Sequence, residues 1–205
     1  MRKIKYVFIL MICLFVTNGV FAQDKEDESI EWLALSVYGL FDYPIYDTTQ
    51  VFSKIISCGA GAGLGLEFGL PFELPRKNQL GLSVRSFWRH GFIKDTSIVA
   101  YLEQLTVFGG VFYKLPLGTN DFELVPELSY GGLLHFVNKA EENGLNNIYF
   151  SHQIYFSPAL RANVSGKSNF VMLEFAPVYT LTIENNAQML HEVGLRLGAV
   201  LHLLK

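Results

Sequence analysis

The chain has 205 residues, half of them apolar and 14% aromatic, with only 17% charged and a formal net charge of −3. That balance excludes a disordered chain, a coiled coil and nucleic-acid binding by bulk positive charge, and the length fits one domain. No apolar run after residue 22 approaches the ~20 residues of a spanning helix.

Residues 1–22 read as a secretory signal. Arg2, Lys3 and Lys5 form a positive n-region, Tyr6 to Val16 an apolar run, and Val20-Phe21-Ala22 a cleavage site with small outer residues. The alternative for this segment, an uncleaved anchor, is opposed by the shortness of the run. Residues 23–30 are a short polar stretch, and 31–205 form the folded domain. Cleavage removes three of the 16 basic residues and none of the 19 acidic ones, leaving 13 against 19, a net charge of −6. Polyanions, nucleic acid included, are then poor partners. Cleavage also takes Cys13, so Cys58 stands alone without an internal disulfide. Cys58 shares a side with apolar residues and reads as a small hydrophobe.

The domain is a succession of two-residue alternations, which predicts strands at about 31–41, 55–70, 79–90, 98–114, 122–136, 149–164, 169–183 and 190–204. In the first, Leu33, Leu35, Val37 and Phe41 oppose Ala34, Ser36 and Tyr38. The second sets Cys58, Ala60, Ala62, Leu64, Leu66 and Phe68 against Gly59, Gly61, Gly63, Gly65 and Glu67. The third opposes Leu82, Val84 and Trp88 to Ser83, Arg85, Phe87 and Arg89. In the fourth, Leu102 and Phe112 interrupt the pattern, and a bulge or register change is expected there. The fifth sets Leu124, Leu128 and Tyr130 against Glu123, Glu127 and His135, and the sixth Ile154, Phe156 and Leu160 against Ser151, Gln153 and Arg161. In the last two, Leu173 and Phe175 oppose Glu174, and Leu195 and Leu197 oppose Glu192 and Arg196. The connections at 42–54, 91–97, 137–148 and 184–189 are polar. The others hold a Pro-rich stretch, Pro71 to Pro75, and two compact turns at Leu117 to Asn120 and Ser165 to Ser168.

Period-two alternation fixes one greasy face and leaves its direction open. A secreted calyx of the lipocalin kind would turn it inward and bind an apolar ligand; a membrane barrel turns it toward lipid. Three features favour lipid. Strands of 11 to 17 residues, tilted by ~40°, project to roughly 30 Å. The other face is Gly, Ser and Thr with isolated charges, unlike a solvated face, and small residues suit a narrow lumen. Those charges also balance: Glu67, Arg85, Arg89, Glu123, Glu127, Arg161, Glu174, Glu192 and Arg196 make a candidate lumenal network of five acids and four arginines. Such ions must be paired once buried. Taking the turn at 165–168 as a hinge, Arg161 is expected opposite Met172 and diagonal to Glu174; Glu67 is expected opposite Ser83 and diagonal to Arg85. Aromatics toward the strand ends suggest two girdles: Phe41, Tyr43, Trp88, Phe92, Tyr101, Tyr149 and Phe150 at the loopy end, Phe68, Phe72, Tyr113, Phe122 and Phe170 at the tight end.

In this architecture the chain resembles the small eight-stranded outer-membrane β-barrel families of Gram-negative bacteria, and its signal, ending in Ala22 before Gln23, is similar to those of Bacteroidetes-type bacteria. The resemblance implies an all-β, antiparallel up-and-down transmembrane barrel in the outer membrane, a monomer surrounded by outer-membrane lipid, with any ligand taken by extracellular loops. Many such barrels end in an aromatic residue; this chain ends His202-Leu203-Leu204-Lys205.

Chemistry is sparse. Gly59 to Gly65 fits no phase of a dinucleotide-binding fingerprint, and the five histidines lack metal-ligand spacing, so no cofactor and no metal are expected. Lipid A-modifying enzymes share the architecture and supply the alternative to a non-enzymatic role. Ser151 and His152 lie near the outer rim with Glu103 and Glu192 at similar height. As neighbours on one strand, Ser151 and His152 point to opposite faces and cannot act together. The first loop, with Tyr43, Ile45, Tyr46, Val51 and Phe52, and the third, with Asn143 to Asn147, are the candidate contact surfaces.

Overall fold

The computed structural model describes residues 32–47, 56–71, 74, 78–94, 99–118, 121–139, 146–166, 170–184 and 188–204. The signal, the polar segment and the centres of the outer loops lie outside these residues, as does the likeness to Bacteroidetes-type signals.

Eight strands make up the fold: β1 (Trp32–Asp47), β2 (Ile56–Gly69), β3 (Gln79–Ile93), β4 (Val99–Pro116), β5 (Phe122–Lys139), β6 (Asn146–Asn163), β7 (Val171–Ile183) and β8 (Met189–Leu204). Each pairs antiparallel with the next, and β1 pairs with β8, so the sheet closes into a barrel in chain order. Closure leaves no edge strand. Where the chain reverses at the tight end, Gly118 and Gly166 take φ of 67° and 68°, a conformation most side chains disfavour. Asn163 braces the second turn, accepting from the Ser165 N–H at 3.0 Å and donating to the Gly166 carbonyl at 2.6 Å.

The alternation points the apolar residues outward. Val37, Phe41, Leu82, Val84, Val107, Val111, Leu128, Phe175 and Leu197 are exposed, while Arg85, Arg161 and Arg196 are at most 1% exposed. Leu195 belongs to the outward set, flanked by the exposed Phe41 and Pro177, and Arg196 to the inward one. An inside-greasy calyx would show the reverse.

Four expectations need correction. Leu102 and Phe112 mark no register change: both point into the lumen with Phe108, and the pairing of β3 with β4 is regular throughout. The irregularity of β4 lies at its start, between Val99 and Tyr101. Strand β1 runs on to Asp47, so Tyr43, Ile45 and Tyr46 belong to a strand, as do Asn146 and Asn147. Pro44 sits at a bulge against β8, where a missing N–H is tolerated. Arg161 stands directly opposite Glu174, two residues from the expected register. Of the girdle residues, Tyr149 pairs with the inward-facing His135 and so stands on the lumen side of the mouth.

Prolines interrupt the ladder at one level. Pro126 faces Pro158 across β5 and β6, and the register carries Pro158 opposite Pro177 on β7. The Val164 N–H bonds the Val171 carbonyl, so by alternation Pro158 and Pro177 occupy a site where ordinary residues exchange two hydrogen bonds. Neither proline has an N–H. Pairing of β6 with β7 accordingly lapses between Phe156 and Leu160.

Candidate functional site in the barrel lumen

All nine residues of the candidate network are buried on the inner face. Six of them close a ring of alternating charge. Glu67 on β2 binds Arg85 on β3 at 2.7 Å and Arg161 on β6 at 2.5 Å. Arg85 reaches Glu127 on β5 at 2.8 Å, and Arg161 reaches Glu174 on β7 at 2.8 Å. Arg196 on β8 completes the circuit, 2.7 Å from Glu174 and 3.5 Å from Glu127. Each charge touches two of opposite sign, which buried ions require. Ser83 and Ser129 donate further hydrogen bonds to Glu127 at 2.7 and 3.1 Å. Glu123 stands apart from this ring, 3.0 Å from Lys114.

Layers of packed side chains lie on either side. Toward the tight end Trp32, Phe112, Val125, Met172 and Val200 form an apolar plug. Toward the mouth Tyr38, Phe87, Phe108 and Tyr155 form an aromatic layer. Arg85 and Arg196 lie over the Tyr38 ring at 5.5 and 5.4 Å from its centroid, and Tyr155 also hydrogen-bonds Arg196. Glycine makes room for this: a Cβ on Gly63 would come within 2.4 Å of the Tyr38 ring. Ring and layers occupy the lumen on the tight-end side of Arg89.

Above the aromatic layer Arg89 binds Asp42 at 2.5 Å and Glu192 at 3.1 Å. Sequence reasoning missed Asp42 because the alternation places the end of the first strand at about residue 41, whereas β1 runs on to Asp47. From Arg89 a directed chain of hydrogen bonds runs to the mouth. Its Nε donates to Gln104 Oε1 at 2.6 Å, which turns the Gln104 amide nitrogen toward His135 Nδ1 at 2.9 Å. Nδ1 is then an acceptor, the His135 proton sits on Nε2, and that N–H donates to Ser151 Oγ at 2.9 Å. Glu184, at the foot of the last outer loop, lies 3.5 Å from the same nitrogen. Burial alone would raise the Glu184 carboxyl, but the nearby His135 and Ser151 side chains outweigh it and hold the group below its ordinary value. His135 on β5 thus partners Ser151. The β5–β6 register places it one pair from Ser151 on the same face, a juxtaposition that a search along single strands does not reveal.

The remaining rim residues face outward. His152 accepts or donates at Nδ1 to the Tyr130 hydroxyl at 2.7 Å, and Glu103 bonds His90 at 2.9 Å. Among the described residues no three His, Cys, Asp or Glu side chains converge on a common point as metal ligands.

A closed eight-stranded antiparallel barrel, apolar outside and ionic within, is the fold of the small outer-membrane barrels. No family model matches the chain, and no curated protein matches it in sequence. Among solved structures it is similar to Neisserial surface protein A, with a TM-score of 0.59 at 10% identity over 82% of this chain and 96% of that one. It also aligns with Ail, the attachment invasion locus protein of Yersinia pestis, at 12% identity over 84% of this chain and 99% of the other, with a TM-score of 0.49. At these identities the likeness concerns the fold alone.

Proposed function

We propose that the chain is a monomeric outer-membrane β-barrel without enzymatic activity, its lumen sealed by the Glu67–Arg85–Glu127–Arg196–Glu174–Arg161 ring and its extracellular loops serving as a contact surface. The observation that carries this reading is the inversion of the barrel, with exposed leucine, valine and phenylalanine outside and fully buried arginine inside. In water such an exterior would be a large apolar patch; in a bilayer it is the preferred coat. Strands of 13 to 18 residues, tilted as membrane barrels are, span the hydrocarbon and both interfaces. A conducting pore is opposed by the ring and by the packed layers on either side of it.

Enzymatic use of Ser151 is opposed by its surroundings. Its histidine presents an N–H and not a lone pair, and the serine is fully buried. The experiment is refolding of the purified protein with and without detergent, followed by reconstitution into planar bilayers. Detergent-dependent solubility and electrically silent insertion support the reading. A protein that stays soluble and monomeric in plain buffer overturns the membrane assignment, and steady conductance overturns the sealed lumen.

A further inference from the structure

Charge is balanced at the ring, where three glutamates meet three arginines, but not above it. Two carboxylates, Asp42 and Glu192, share the single guanidinium of Arg89. Arg89 Nη1 uses one oxygen of each, Asp42 Oδ2 at 2.5 Å and Glu192 Oε1 at 3.1 Å. The second oxygens, Asp42 Oδ1 and Glu192 Oε2, are buried and meet no donor among the described residues. Their side chains are only 4% and 5% exposed, so bulk water does not serve them. A surplus negative charge in such a place calls for a counter-charge.

The same level of the lumen contains a cavity of about 10 Å³ for the centre of a water-sized guest. Its polar lining is Asp42, Arg89, Thr106, Gln153 and Thr180, and Thr180 is the direct cross-strand partner of Glu192. The Gln153 amide nitrogen is committed to Thr182 Oγ1 at 2.7 Å, which leaves its carbonyl oxygen as the available group. Arg89 apart, the lining therefore offers hard oxygens of carboxylate, amide and hydroxyl, the donor set of alkali and alkaline-earth cations. Size admits one small ion. The surplus of a single negative charge selects a monovalent one, because a divalent ion beside Arg89 would replace the excess by its opposite.

We infer that Asp42, Thr106, Thr180 and Gln153, with the Glu192 carboxylate beside Thr180 as the second source of charge, form a binding site for one monovalent cation of sodium size between the aromatic layer and the mouth. The residues all lie within the lumen, so the inference stands apart from what surrounds the barrel.

The test is the thermal unfolding midpoint of the purified protein in detergent at constant ionic strength, with choline chloride exchanged stepwise for sodium chloride. The expected result is a midpoint that rises and saturates with sodium. Thr180→Val, which keeps every charge, should shift saturation to at least tenfold higher sodium, and Asp42→Asn, which removes the surplus charge, should abolish the dependence. A wild-type midpoint indifferent to sodium overturns the site. A midpoint that ignores sodium and falls as pH rises identifies the counter-charge as a proton on Glu192 and overturns it equally. Should Asp42→Asn fail to fold, sodium-23 line broadening decides: broadening by wild type that weakens in Thr180→Val supports the site, and no broadening by wild type overturns it.

Discussion

Arg161 stands directly opposite Glu174 across the β6–β7 pair, and its Nε donates to Glu174 Oε2 at 2.9 Å. The guanidinium nitrogens of the same residue reach across the lumen to Glu67, at 2.8 and 2.5 Å. One arginine thus joins a neighbouring strand to a strand on the far side of the barrel, and the ring acts as a cross-brace as well as a seal. Glu67 is the acid most exposed to test, since Arg85 and Arg161 both depend on it. Glu67→Gln should cost about 3 to 5 kcal/mol, because two buried guanidinium groups lose their shared counter-charge. Urea unfolding in detergent measures it; a loss under about 1 kcal/mol would mean that water reaches the ring.

Much of this brace was legible in the sequence, for a physical reason. Side chains alternate with a period of two, so a charge among apolar neighbours declares which face it occupies before any pairing is known. What alternation does not give is register across a turn, and Arg161 shows the consequence: a turn two residues longer than assumed moves Glu174 from diagonal to opposite. Nor does it report where a strand ends. Asp42 depends on a strand that continues past Phe41, and the bonding of His135 to Ser151 on contacts between strands that a chain-order reading takes one at a time.

The apolar exterior gives the second prediction. Leu197 lies near the middle of β8, is 51% exposed and adjoins the buried Arg196. Leu197→Arg should cost about 2 to 4 kcal/mol if its level is the bilayer midplane. Leu203→Arg, near the end of the same strand and on the same face, should cost less than about 1 kcal/mol. Folding into vesicles of defined thickness, followed by urea unfolding, reads both. Equal costs at the two positions would contradict a membrane coat.

The facing prolines give the third. At Pro158 and Pro177 the β6–β7 ladder lacks two donors at a position where strands normally exchange a pair of bonds. Pro177→Val returns one N–H aimed at the Pro158 carbonyl and should stabilise the barrel by about 0.5 to 1.5 kcal/mol. Hydrogen exchange supplies an independent reading: the amides of Phe156 and Leu160, which flank the lapse, should exchange more slowly in the variant. A variant that is less stable would show that the outward-facing proline rings pack better than a restored bond.

The relay from Arg89 to Glu184 yields two linked outcomes. Because Gln104 fixes the His135 proton on Nε2, Ser151 has no histidine base, and a fluorophosphonate probe should leave it unlabelled. Labelling that disappears in Ser151→Ala would reverse that conclusion. Glu184 carries the pH dependence. Its carboxyl lies below the ordinary value when folded, so its share of stability is present above the unfolded carboxylate pKa near 4.3 and is lost as pH falls through the folded value. The consequence is local, since Glu184 follows directly on β7 and lies 3.5 Å from His135 Nε2 on β5. Acidification below the ordinary carboxylate range should therefore release Glu184 from its bond to Gln188 before the barrel unfolds. Faster hydrogen exchange at the Glu184 amide, which donates to the Gln188 carbonyl at 2.9 Å, is the expected signature in acid and already at neutral pH in Glu184→Gln; an identical acid profile in that variant would detach Glu184 from the relay.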